Sequence, residues 1–203
     1  MNRTADVVIV GAGVIGSATA FELAKRGYKT LNIDKLPASG YGSTSNSCAI
    51  VRAHYSTWDG VAMAYEGFFY WDDWNKYLEV EDERGMAKYM KTGSIMFMLK
   101  GADHSKKSLN LFKEIGVEHE IWDLETLKKK MPIYSHDSYN GTSRPDEDDS
   151  FFDKSGDQIE GAVWTPGSGY VSDPQLATHN LQVATEAKGG EFLFDAEITE
   201  IRQ

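Results

Sequence analysis

Near its N-terminus this chain runs from an apolar stretch directly into three closely spaced glycines, and that junction limits its fold more than any other feature. Residues 6–10 (DVVIV) are apolar and β-branched, the pattern of a strand covered on both faces in a parallel sheet. Gly11, Gly13 and Gly16 then break the strand. From Val14 to Arg26 the apolar period becomes helical. Val14, Ala18 and Phe21 share one face, while Glu22, Lys25 and Arg26 point outward. Gly27 takes the usual C-terminal stop position. Residues 29–33 (KTLNI) form a second strand that ends at Asp34. Strand, turn, helix and strand follow one another without slack, so the segment is a complete βαβ unit.

Each glycine has a physical reason to be there. Gly11 allows the tight turn, Gly13 leaves the backbone open to a pyrophosphate, and Gly16 lets the helix approach the sheet. The start of the helix, with Val14 and Ile15, presents unpaired N–H groups and positive partial charge to phosphates. Asp34 follows Gly16 by 18 residues and can accept hydrogen bonds from ribose hydroxyls. Its charge opposes a 2′-phosphate, and so argues against NADP. A glycine-rich turn without a ligand is the competing reading. Three glycines together with a placed acid argue against it. The motif by itself leaves FAD and NAD both open.

Further along, residues 37–47 (PASGYGSTSNS) read as a loop of small hydroxyl and glycine residues. Residues 61–78 are aromatic-rich and helical in pattern. Residues 93–99 read as a strand of a second layer, 104–116 and 124–130 as helices, and 132–158 as a long excursion with few apolar runs. Residues 161–166 suggest a strand and turn. Asp173 and Pro174 open a helix that runs to about Lys188, with proline in the favoured first turn. Gly189 and Gly190 end it, and 191–201 read as one or two strands. The expected class is α/β: a Rossmann-like nucleotide-binding domain (1–84 and 167–203) and part of an α+β second domain (85–166). The chain stops just after a strand that no following helix covers. It is therefore expected to be the N-terminal part of a longer polypeptide, or to be completed by a partner chain.

Composition narrows the function classes. The formal net charge is −10 and no basic stripe is visible, which makes nucleic acid and anionic membranes poor partners. Cys48 is the sole cysteine, so no disulfide can form within the chain. Glycines interrupt the N-terminal apolar run, unlike a signal peptide, and no segment has the length of a membrane span. A cytoplasmic protein is expected. His104, His119, His136 and His179 show no metal-ligand spacing with one another or with Cys48, and no metal site is expected. The carboxylates between Asp146 and Asp157 read as a solvated loop.

Beyond the glycine motif the chain resembles a known family. The runs ADVVIVGAGVIGSATAFELAKRGYKTLNIDK, GSTSNSCAIVRAHYS, KTGSIMF and GSGYVSDPQLATHNL, in that order, are similar to the glycine/D-amino-acid oxidase family of flavoproteins. Sarcosine oxidases and N-methyl amino-acid dehydrogenases are the members it looks most like, over about the first half of a full-length member. The hydroxyl-rich loop leading into I-V-R-x-x-Y is the more specific part, and it moves the reading from a generic dinucleotide to FAD.

The resemblance implies roles for particular residues. Gly11, Gly13, Gly16 and Asp34, with Lys35 beside it, would hold the ADP half of FAD. Ser43, Thr44 and Ser45 would run by the pyrophosphate and ribityl chain. Ile50, Val51 and Arg52 would pass close to the isoalloxazine ring. The backbone of Ile198 would meet the adenine from a strand. A guanidinium near the flavin stabilises its anionic reduced form and can steer a substrate carboxylate, so Arg52 is a candidate catalytic residue. A surface or ion-pair arginine is the bland alternative. Tyr55 is a candidate too, against a packed, hydrogen-bonded role, and His54 is a weaker one. Some relatives attach FAD through a histidine in the segment matching Ser43–Cys48. Here no histidine is present, so non-covalent FAD is expected. The implied reaction is oxidation of the C–N bond of an amino or N-methyl amino acid by hydride transfer to flavin N5. A dehydrogenase of a hydroxy acid or glycerol phosphate, an NAD-dependent enzyme, and a non-catalytic FAD-binding fragment are the alternatives.

Overall fold

In a computed structural model, described over residues 3–101, 103–139 and 144–202, the elements follow one another as β1 (Val7–Val10), α1 (Val14–Lys25), β2 (Thr30–Ile33), β3 (Ile50–Val51), α2 (Trp58–Asp72), α3 (Trp74–Leu78), β4 (Tyr89–Met90), β5 (Ser94–Met98), α4 (Asp103–Ile115), β6 (Glu120–Asp123), α5 (Leu124–Lys130), β7 (Asp137–Tyr139), β8 (Lys154–Gln158), β9 (Gly161–Thr165), β10 (Gly169–Val171), α6 (Pro174–Ala187) and β11 (Glu191–Leu193). The mixture of helix and parallel strand is the α/β class expected from the βαβ pattern. The chain divides into two units. One comprises 1–51, 69–90 and 170–203, the other 52–68 and 91–169.

The first unit is built on a parallel sheet in the order β1-β2-β11. Val7 to Val10 pair with Thr30 to Ile33, and Glu191 to Leu193 pair with Leu31 to Ile33. Helices α1 and α6 pack on each other. Their shared core holds Phe21, Ala177, Leu181 and Ala184, joined by Trp74 and Leu78 of α3. Val14 and Ala18 pack against it, as their spacing with Phe21 requires. The Asp173 carboxylate accepts from the Leu176 amide at 2.9 Å and Pro174 occupies the first turn, which fixes where α6 begins. A second small sheet, β3-β10-β4, was not legible as strands, because two- and three-residue strands carry no period.

A buried polar knot ties the segment before β4 to α6. The Asn180 amide group donates to the Asp82 carboxylate (2.8 Å) and the Gly85 carbonyl (2.9 Å). Its oxygen accepts from Trp74 Nε1 and from the Ala87 amide. His179 Nδ1 lies 2.5 Å from Asp82. Burial works against the Asp82 charge, but the Arg84 amide, His179 and Asn180 outweigh it and hold the carboxyl below its ordinary value.

The second unit centres on an antiparallel sheet, β5-β9-β6. Residues Ser94 to Met98 pair with Thr165 to Gly161, and Glu120 to Asp123 pair with Trp164 to Gly161. Trp122, Leu127, Ile159 and Ala162 form its core, with Trp164 stacked on Trp122 at 5.1 Å between ring centres. Asp123 caps α5 by accepting from the Thr126 amide.

Three expectations are corrected. The single helix at 61–78 is two, α2 and α3, separated at Asp73. The excursion at 132–158 contains a hairpin, β7–β8, and its residues 140–143 lie outside the described residues. The strand expected across 191–201 ends at Leu193. Asp195 takes a left-handed φ of 52°, which extended backbone forbids, and the chain turns back so that the Ala196 amide meets the Asp34 carbonyl at 3.0 Å. Ile198 therefore does not sit in a strand.

Candidate functional site

The turn between β1 and α1 is held on all sides. The Gly11 amide donates to the Ile33 carbonyl at 2.8 Å, and the Ala12 amide donates to Asp34 Oδ2 at 2.7 Å. The Ala12 carbonyl accepts from the Gly40 amide, and the Ser17 hydroxyl reaches the same oxygen. The Val14 amide donates to the Thr44 hydroxyl at 3.1 Å. Among the described residues, this leaves the amides of Gly13, Ile15 and Gly16 without a protein acceptor. Three free N–H groups at the start of a 12-residue helix form an anion cradle, reinforced by the helix dipole.

The glycines fit the roles their spacing suggested, with one refinement. Gly11 adopts φ 106°, open to glycine alone. A Cβ on Gly16 would lie 2.2 Å from the Gly11 carbonyl oxygen, so the third glycine permits the close approach of α1 to the turn. A Cβ on Gly13 would meet the Thr44 hydroxyl at 3.1 Å. Gly13 thus makes room for the loop that covers the turn.

Two clefts border this turn. One, of about 520 Å³, is lined by Gly11, Gly13, Val14, Ile15 and Gly16 and by Ser43 and Thr44 of the loop. The other, of about 270 Å³, is lined by Asp34, Lys35 and Ile198 together with Val10 and Gly11. The Asp34 carboxylate belongs to the second. Oδ2 is fixed by Ala12 and Oδ1 by the Leu36 amide at 2.9 Å. Each oxygen keeps a further lone pair for a hydroxyl. Most residues named from the sequence thus line these two clefts. Ser45 does not: its hydroxyl is spent on the Gly42 carbonyl. Ile50 and Val51 lie on β3, where Ile50 is exposed and Val51 packs on the core. Cys48 is an exposed free thiol.

In the second unit Arg52 is exposed, and it has no acidic partner among the described residues. Tyr55 is 44% exposed, and its hydroxyl likewise lacks a partner there. The packed, hydrogen-bonded alternative for its side chain is not what the structure shows. Its backbone is held at both groups: the carbonyl accepts from the Ser108 hydroxyl at 2.9 Å, and the amide donates to the Ala53 carbonyl at 2.9 Å. His54 is the buried polar member of the segment. Its Nε2 lies 3.0 Å from the Thr165 hydroxyl and 3.4 Å from that of Ser94, and Thr165 bonds on to Ser168. Burial lowers the His54 pKa to about 4, helped by the positive Arg52 and by His104. The imidazole is neutral at pH 7. Sequence reasoning missed the hydroxyls around His54, because Ser94, Thr165 and Ser168 are far apart in the chain and chemically ordinary.

Sequence reasoning also missed Asn32. This fully buried residue of β2 donates from Nδ2 to the carbonyls of Gly11 (3.1 Å) and Gly16 (3.2 Å). A polar residue flanked by Leu31 and Ile33 in a buried parallel strand was the available signal.

Fold and site together define a Rossmann-type dinucleotide-binding protein. The particular family follows from comparison: residues 6–203 match the DAO family model, described as FAD dependent oxidoreductase, and the chain belongs to that family. It is 29% identical over 149 residues to the monomeric sarcosine oxidase of Bacillus sp. (strain B-0618), covering 71% of this chain and 37% of that protein. It is 26% identical over 200 residues to the monomeric sarcosine oxidase of Streptomyces avermitilis, covering 98% of this chain and 45% of that one. Among solved structures, the L-proline dehydrogenase from P. horikoshii matches with a TM-score of 0.74 at 21% identity, over 98% of this chain and 46% of that chain. Glycine oxidase from Geobacillus kaustophilus matches with a TM-score of 0.70 at 23% identity, over 98% and 48%. These two likenesses establish the fold. The chain spans less than half the length of the relatives it matches. FAD is the family's cofactor, and the residues present fit its ADP half: free amides face one cleft, and no Cβ blocks Gly11 or Gly13. Among the described residues, no helix is long and apolar enough to cross a membrane.

Proposed function

We propose that this chain supplies the FAD-binding part of an enzyme that oxidises the C–N bond of an amino acid or N-methyl amino acid. The observation that carries the cofactor half of this reading is the glycine turn, with three unpartnered amides beside a fixed Asp34. The substrate class rests on the relatives, which are named sarcosine oxidases. The first unit is read as the FAD-binding domain and the second as part of the substrate domain.

When bound, FAD would supply the two-electron oxidation of the bond between the substrate nitrogen and its neighbouring carbon, and water would hydrolyse the imine product. The amides of Gly13, Ile15 and Gly16 would neutralise the pyrophosphate. Asp34 would fix the adenosine ribose, with Lys35 and Ile198 lining the same cleft. Ser43 and Thr44 would close over the phosphates. Arg52 carries a guanidinium with no carboxylate of its own, and would hold a substrate carboxylate in a fork of two hydrogen bonds. Tyr55, with a free hydroxyl three residues on, would hydrogen-bond the substrate or the ring edge. His54, neutral and bonded to Thr165, would hold the Arg52–Tyr55 segment in place.

The visible spectrum of the purified chain, before and after denaturation and filtration, tests the first half. Flavin absorption released into the filtrate is expected. A colourless chain that takes up no added FAD would refute cofactor binding by this chain. Sarcosine, glycine and proline offered to the complete polypeptide test the second half. Turnover of glycerol phosphate or a hydroxy acid, with none of the amines, would replace the substrate class. Arg52→Ala in that polypeptide is expected to abolish most activity. Unchanged flavin reduction would remove Arg52 from the active site.

A further inference from the structure

We infer that Asn32 is a positioning residue for the dinucleotide, a clamp that sets which way the peptides of the glycine turn face. The inference rests on the cofactor reading above. The Asn32 side chain is completely buried on the face of β2 turned toward α1, opposite Ile9 of β1 and Phe192 of β11. Its two near neighbours are both carbonyl oxygens, of Gly11 at 3.1 Å and Gly16 at 3.2 Å. Only the NH₂ end of an asparagine can serve two acceptors, so the donor faces the turn. Its own Oδ1 has no partner among the described residues.

The geometry gives this contact a consequence. A peptide unit is planar, with its carbonyl and its N–H on opposite sides. Asn32 holds the Gly11 carbonyl, while Asp34 Oδ2 holds the Ala12 N–H of the same peptide at 2.7 Å. Two residues, one on β2 and one just past its end, therefore grip one peptide plane from both sides. That grip keeps Gly11 at φ 106°. The second contact, to Gly16, pins the carbonyl that leaves the first turn of α1. With the carbonyls of Gly11 and Gly16 drawn inward, the amides of Gly13, Ile15 and Gly16 are left clear of protein acceptors. A site whose donors are fixed beforehand binds an anion without first having to order them.

Stability alone would place a different residue here. A buried strand position beside Leu31 and Ile33 suits an apolar side chain, and an asparagine with an unpartnered oxygen is a poor choice for packing. This separates a positioning role from a structural one. Asn32→Leu is nearly isosteric and removes both hydrogen bonds. It leaves the Gly11 carbonyl without this donor, so the urea midpoint is expected to fall modestly, and the role is read from the turn amides and the cofactor affinity together. Hydrogen exchange at the bonded amides of the turn, those of Gly11, Ala12, Val14 and Ser17, should accelerate, and FAD affinity, read by flavin fluorescence, should fall on the order of tenfold. Asn32→Val, smaller and suited to a strand, serves the same comparison if leucine is too large.

Unchanged exchange at Gly11, Ala12, Val14 and Ser17 would overturn the clamp. So would a lower midpoint with unchanged FAD affinity, the mark of a purely structural residue. A wild-type chain that binds no FAD would refute the cofactor reading for this chain, and the exchange comparison, which needs no cofactor, would still decide the role of Asn32.

Discussion

Replacing Gly16 by alanine tests whether the glycine turn has the geometry described. A Cβ there would lie 2.2 Å from the Gly11 carbonyl oxygen, more than an ångström inside ordinary contact, and 3.5 Å from Ile9 Cγ2. The oxygen belongs to backbone that Asn32 also holds, so it cannot rotate aside. The helix must move instead. Overpacking of this kind costs about 1–3 kcal/mol, and a backbone overlap this deep belongs at the upper end. Alanine in a helix returns about 1 kcal/mol. The net loss is about 2 kcal/mol, or about 4–8 °C in Tm for a chain of this size. Gly67 in α2 is the control. A Cβ there meets nothing within 4 Å, so Gly67→Ala should gain about 0.5–1 kcal/mol. Gly13→Ala falls between: its Cβ meets only the Thr44 hydroxyl at 3.1 Å, a side chain that can turn, so stability should change little while FAD affinity falls. Urea unfolding of the three variants, followed by tryptophan fluorescence, checks the order. A Gly16→Ala protein as stable as the wild type would refute the close approach of α1 to the turn.

Other expectations follow from buried polar groups and from packing. His54 has a folded pKa of about 4 against an ordinary value of 6.5, so the unfolded chain binds the extra proton between those values and stability falls as pH drops from about 6.5 to 4. The loss is at most about 3 kcal/mol before solvent screening, and it should vanish in His54→Gln; equal pH slopes for both proteins in urea unfolding would contradict the buried neutral imidazole. Asp82 is likewise held below its ordinary value of 3.8, so its contribution is present above that value and is lost as pH falls below it. Asp82→Ala leaves the Arg84 amide without this acceptor and takes one of the two acceptors of Asn180 Nδ2, and should cost about 1–3 kcal/mol at pH 7, readable as a lower urea midpoint. Phe21→Ala empties a fully buried position between α1 and α6 and should cost about 3–5 kcal/mol by the same assay.

Local chemistry made much of the first unit readable. Three glycines, a β-branched run and a helical apolar period are each written within a few residues, and each acts on its own neighbours. The βαβ unit, α6 with its Asp173–Pro174 start, and the helices near 104–116 and 124–130 therefore lie within a residue or two of where the pattern puts them. The end of β11 was not readable. Phe192, Phe194, Ala196 and Ile198 alternate with polar residues apart from Leu193, as in a strand, yet Asp195 turns the backbone left-handed and brings Ala196 onto the Asp34 carbonyl. The break at Asp73 was equally hidden, because both flanking segments carry the same aromatic-rich pattern.

The glycine turn shows both sides of this division. The sequence by itself determined that a βαβ unit forms, that Gly11, Gly13 and Gly16 shape its turn, and that Asp34 ends the next strand. It did so because a missing side chain or a placed acid has the same local meaning in any fold. Only the tertiary structure decided which amides stay free, because that depends on where distant carbonyls and hydroxyls arrive. Thr44 takes the Val14 amide from 30 residues away, and Asn32 turns the Gly11 carbonyl inward from 21. His54 becomes a buried neutral group only once Thr165, 111 residues on, meets it. Contacts of that range leave no period in the sequence, since each is fixed by packing rather than by its neighbours in the chain.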